Sequence, residues 1–153
     1  MTDLPDGYYA VPDPDDTTAM TYWRAKGGGL HPHPAKTWYG PARPLRQDAP
    51  SPKGGPEFQE WMRDYFDRWT AWARRVRDSL AIDPAATARR FADLTTRCCV
   101  CGRALTDAES KVLGIGPDCR SRLDPHGVAA IVLTPEVAKA HAAALLTTTS
   151  EKA

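Results

Sequence analysis

At 153 residues the chain has room for one ordinary domain or two small ones, and its 20 basic and 19 acidic side chains nearly cancel. That balance excludes the strong positive field of a dedicated duplex binder or of a protein held electrostatically on an anionic membrane. It also holds locally, with six acids against six bases over residues 1–55 and five against five over 57–80; only 84–125 leans basic, seven against five. The opening Met1-Thr2-Asp3-Leu4-Pro5-Asp6-Gly7 is not an apolar leader, and the longest apolar run, Val128 to Leu133, is far too short to span a bilayer. A soluble cytoplasmic protein with reduced thiols is expected.

Residues 1–40 read as a small strand-rich unit. Tyr8-Tyr9-Ala10-Val11 and Met20-Thr21-Tyr22-Trp23-Arg24-Ala25 are β-prone runs, separated by the turn-forming Pro12-Asp13-Pro14-Asp15-Asp16. Asp13, Asp15 and Asp16 lack the glycine and terminal glutamate of a calcium loop and read as turn residues. Gly27-Gly28-Gly29 allows a second reversal, with a third strand expected near Thr37-Trp38-Tyr39. So small a sheet is marginal alone and must lean on another element. Residues 41–55, rich in proline, read as an extended or disordered linker.

Residues 56–96 read as helical. Phe58, Trp61, Met62, Tyr65, Phe66, Trp69, Trp72, Ala73, Val76 and Leu80 recur at three- and four-residue intervals, predicting one amphipathic helix from about Pro56 to Leu80. Pro56 suits its first turn, and Glu57 and Glu60 suit the positive end of its dipole. Asp83-Pro84 predicts a new helix with Asp83 as N-cap, directing Ala88, Phe91 and Leu94 inward. The aromatic stripe is wide for so small a chain, so it is expected to pack in the core and to offer a homodimer or protein-partner interface. His31-Pro32-His33-Pro34 reads as a polar loop.

All four cysteines lie between 98 and 119. Cys98-x2-Cys101-Gly102 has knuckle spacing: two intervening residues let both sulfurs converge on one ion, and the glycine accommodates the turn. Cys119 follows Gly114-Ile115-Gly116-Pro117, which places its sulfur in the first turn of a helix running toward Leu123, where the thiolate is favoured. With a hairpin from Arg103 to about Lys111, turning at Asp107-Ala108, residues 97–125 form a zinc-knuckle, treble-clef-like module. Cys98, Cys101 and Cys119 are the expected ligands of Zn2+. The fourth ligand stays open between His126, Cys99, Asp118, Ser110, a distant His31, His33 or His141, and water; water would leave the open position of a catalytic zinc. Residues 126–153 carry a short element after Asp124-Pro125, an Ala-rich helix capped at Thr134-Pro135-Glu136, and a frayed end.

The run Cys98-x2-Cys101-Gly102-Arg103-x-Leu105-Thr106-Asp107-x2-Ser110-x3-Gly114-Ile115-Gly116-Pro117-x-Cys119 resembles the signature of an uncharacterised zinc-knuckle family found in actinobacteria and their phages. The resemblance covers roughly 22 of the 153 residues. It implies metal binding through Cys98, Cys101 and Cys119 and no known reaction; Cys99 is extra to the motif. Arg103, Lys111, Arg120 and Arg122 surround the knuckle. They can contact phosphate or weakly bind nucleic acid, or they offset the formal charge of −1 that zinc with three thiolates would carry. The expectation is an α+β protein with a structural zinc, acting as a binding or adaptor module for nucleic acid or a protein partner. The alternative is a metal-dependent enzyme with an open zinc position. No Ser-His-Asp, paired-carboxylate or phosphate-loop pattern stands out.

Overall fold

The computed structural model describes residues 4–122, 124 and 126–133. It is an α+β structure: strands β1 (Gly7–Pro12), β2 (Met20–Lys26) and β3 (Gly29–Pro32), then helices α1 (Pro56–Ile82), α2 (Pro84–Thr95), α3 (Ala108–Leu113), α4 (Pro117–Ser121) and α5 (Val128–Val132). The strands form an antiparallel meander in the order β1-β2-β3. Asp13 and Asp16 act as turn residues, their carboxylates accepting the N–H groups of Asp15 and Thr18.

The third strand lies earlier than the expected position at Thr37–Tyr39. Gly27 and Gly28 adopt φ of 58° and 81°, and Lys26 pairs with Gly29. Two consecutive left-handed residues make a two-residue hairpin loop whose twist matches the strands, so β3 starts at once. The 37–39 segment instead folds over the sheet, where Tyr39 meets Trp23 at a ring separation of 5.3 Å.

Both faces of β1 are covered, which explains why its side chains are buried without alternation. The even-numbered side chains of the first two strands meet α2: Tyr8 stacks on Phe91 at 5.1 Å, and Tyr22 meets the same ring edge-on. The odd-numbered Thr21, Trp23 and Ala25 are buried on the other face, where Trp23 packs against Trp72 of α1 at 6.0 Å. The marginal sheet is thus stabilised by helices on its two sides. Trp72 Nε1 donates to Asp13 Oδ1 at 3.0 Å, and Arg75 donates to Asp15 Oδ1 and the Pro14 carbonyl, fastening the β1–β2 turn to α1.

The long helix runs two residues beyond its expected end at Leu80. Its buried residues are Tyr65, Trp72, Val76 and Leu80, but only those from Trp72 onward join the main core. Asp83 breaks the two helices apart, its carboxylate accepting the Ala86 N–H at 3.0 Å, with Pro84 in the first turn. Asp83→Ala is expected to cost about 1 kcal/mol, read as a lower urea midpoint at unchanged slope. An unchanged midpoint would mean that packing alone sets this corner.

The Pro-rich segment 41–55 contains a single 3-10 turn, Arg46–Asp48, and lies beside the first half of α1. Among the described residues no helix is long and apolar enough to cross a membrane. The expected helix from Thr134 to Leu146, the tail after it, and His141 lie outside the described residues.

Candidate metal centre

The centre is assembled where α2 ends. Thr96 caps α2 in the left-handed region, its N–H donating to the Ala92 carbonyl, and the chain then doubles back within eight residues. Arg97 and Ala104 form an isolated antiparallel bridge, and between them the Cys98 N–H donates to the Arg103 carbonyl and the Gly102 N–H to the Cys98 carbonyl, both at 2.8 Å. Gly102 sits at φ of 78°, and a Cβ there would lie 2.9 Å from Tyr8 Cζ. Glycine is required twice over, by the left-handed turn and by the close approach of β1.

The expected hairpin from Arg103 to Lys111 does not form. Asp107 and Ala108 are not a hairpin turn but the start of α3: the Asp107 carboxylate accepts the Ser110 N–H at 3.0 Å, and Gly114 closes the helix in the left-handed region. An Asp cap, Ala108 and Glu109 in the first turn, Lys111 in the last and Gly114 just past the end are a full set of helix boundary signals. The Ser110 hydroxyl, and then its N–H, hold the Asp107 carboxyl below the usual carboxylate range.

From α3 the chain passes through Ile115, which is fully buried, to α4, which Pro117 opens. Cys119 follows in the first turn of α4, as expected. The ligand atoms of Cys98, Cys101 and Cys119 all lie within 4.8 Å of one another, and this is the trio that the structure brings together. Sulfurs bound at about 2.3 Å to a tetrahedral ion lie about 3.8 Å apart, so side-chain adjustments of about an ångström would close the trio on a metal. Cys98 is buried, Cys119 half-buried and Cys101 exposed; none of the four cysteines is in a disulfide.

The thiols differ in their electrostatics. Burial alone would raise Cys98, but the N–H groups of Gly116, Cys101 and Val100 and the Cys101 side chain outweigh it and hold this thiol below its ordinary range. Two of those N–H groups, of Val100 and Gly116, lie 3.4 Å from its sulfur. Cys119 is pushed up to about 12 by burial, then by the neighbouring Cys101 and Cys98. A cation between the sulfurs would reverse that repulsion and release protons, as thiolate ligation does generally.

Neither residue considered first for the fourth position belongs to this group. Cys99 turns into the core, where it is fully buried, and burial together with Cys98 raises its thiol strongly. Its backbone is structural: Tyr8 N–H donates to its carbonyl at 2.7 Å, and its own N–H donates to the Gly114 carbonyl at 3.0 Å. His126 lies in the turn before α5, with its N–H on Asp124 Oδ1 at 2.9 Å. His33 packs edge-on against Tyr8 and Phe91.

The four cations have different surroundings. Arg120 is mostly buried and donates to Ser110 Oγ and the Ile115 carbonyl, with Glu109 3.8 Å away. It joins α3 to α4, and Ser110, whose side chain is fully buried, is its partner. The sequence places Ser110 among the fourth-ligand candidates and Arg120 among the cations around the knuckle; their ten-residue spacing carries no local signal for the contact. Arg103 is exposed and lies 3.9 Å from Asp118. Lys111 is exposed in the last turn of α3. Arg122, with Arg103, Asp118 and the three clustered cysteines, lines a cleft of about 210 Å³.

Fold and site together define a small α+β protein in which three cysteines stand close enough to share a metal ion. Residues 88–124 match a family of unknown function (DUF6011). The matched stretch begins inside α2 and takes in the knuckle, α3 and α4, so the likeness rests on the cysteine unit and leaves out the sheet and α1. No curated protein and no solved structure matches the chain.

Proposed function

We propose that Cys98, Cys101 and Cys119 hold one zinc ion whose role is structural, and that the protein is a cytoplasmic binding or adaptor module. The convergence of three sulfurs from the knuckle and α4 is the observation that carries this reading. Three thiolates suit zinc better than magnesium or calcium, which take oxygen ligands. The ion would join the end of α2 to α4, completing a unit whose only regular helices are five and six residues long. Arg103 and Arg122 stand at the cleft, where they offset the negative charge of a zinc–trithiolate. The near-zero net charge and the internal bonds of Arg120 favour a protein partner over nucleic acid. The phage or actinobacterial setting implied by the motif is compatible with such a role.

Elemental analysis of purified protein should give about one zinc per chain. Zinc affinity should fall on acidification, because protons compete for thiols that must be ionised to bind. A protein free of stoichiometric metal, or one whose affinity ignores pH, contradicts thiolate ligation. A metal-dependent enzyme is the second reading, favoured by the cleft that opens over the thiols. Zinc-edge X-ray absorption separates the two: an oxygen ligand displaced by added imidazole supports an open position, and a non-exchangeable fourth protein ligand removes it.

A further inference from the structure

The first half of α1 carries more apolar surface than the fold absorbs. Phe58, Trp61, Met62, Tyr65 and Phe66 lie outside the main core, and Phe66 is 55% exposed. These side chains face a groove of about 680 Å³ whose other wall is the Pro-rich segment, with Trp38, Pro44 and Pro50 among its lining. That volume falls within the range of formed ligand sites. Among the described residues that line it, the charged side chains are Arg43, Arg46 and Lys53, and none is a carboxylate. Tyr65 also lines it, and its buried hydroxyl has no hydrogen-bond partner among the described residues.

We propose that this groove docks an acidic protein segment that inserts a bulky apolar side chain. The aromatic floor supplies the area for the anchor, and the three cations complement carboxylates along the rim. Single-stranded nucleic acid suits the groove less well. Trp38 already carries the Arg43 guanidinium over its ring at 4.2 Å. The Phe58–Trp61 and Tyr65–Phe66 pairs are tilted at 44° and 56°, so they offer no parallel platform for stacked bases.

The site rests on the reading of the chain as a binding module and is independent of the metal, since it lies outside the cysteine unit. The test uses the full zinc-loaded chain and a short fluorescein-labelled peptide alternating Glu with Leu and Phe, followed by anisotropy. Saturable binding is expected, weakened roughly tenfold or more in the double variant Arg46→Glu, Lys53→Glu. No saturable binding, equal binding of the Lys-for-Glu peptide, or indifference to the charge reversals overturns the proposal. So does tighter binding of an oligothymidylate that the same reversals abolish. A dimer in sedimentation that the reversals dissociate would assign the groove to a second copy and overturn it as well. Failure of the peptide on zinc-loaded protein removes this site alone, whereas absent zinc removes the metal reading and leaves the peptide result intact.

Discussion

Phe91→Ala is expected to destabilise the protein by about 3–5 kcal/mol, the range for truncating a core aromatic. The ring is fully buried and is gripped from three segments: Tyr8 of β1 at 5.1 Å, Tyr22 of β2 at 6.2 Å and His33 after β3 at 5.6 Å. Those rings are fixed by the sheet, so they cannot close the space that a deleted phenyl leaves, and an unfilled cavity adds to the lost transfer energy. The sheet also depends on α2 for one of its two covers, so the loss should reach β1 and β2. Urea unfolding of metal-loaded protein measures it, with Phe91→Leu as the milder control. A cost under about 1 kcal/mol would mean that α2 is not what stabilises the even-numbered face.

Cys119→Ser should abolish metal binding and the packing of residues 96–122 with it. This candidate ligand comes from a five-residue helix, too short to persist without a tertiary anchor. If the trio holds a structural metal as proposed, binding contributes to folding directly, so metal loss and local unfolding should appear together. Elemental analysis and amide spectra read the two effects. Cys99→Ser is the matched control: its thiol lies in the core and outside the trio, so the variant should be less stable yet still hold metal. A folded, zinc-loaded Cys119→Ser protein, or a Cys99→Ser protein without metal, would reverse the ligand assignment.

Legibility in the sequence followed the range of the interaction. The long helix, the Asp83-Pro84 corner and the place of Cys119 in the first turn of α4 were readable because each is set by residues within a turn or two. The cysteine trio was readable because its members sit in rigid turns of familiar spacing. At two places glycine and capping signals override the expected local structure. Gly27-Gly28 makes a turn of its own and brings β3 forward, and Asp107 with Gly114 encloses a helix where a hairpin was expected. What no local pattern carried were contacts between distant segments: the sheet between two helices, the bond from Arg120 to Ser110, and the Pro-rich segment lying along α1. Coverage on both faces also erased the alternation by which β1 would otherwise declare its buried side.

The bond from Tyr8 to the carbonyl of Cys99 links the edge of β1 away from β2 to the residue that follows the first candidate ligand. That amide proton is therefore shielded by the knuckle and not by the sheet. Its exchange with deuterated solvent should be slow while the knuckle is closed and should accelerate when chelator opens it, even as the amides shared between β1 and β2 stay protected. A single proton near one end of the chain would then act as a clock for a centre ninety residues further along.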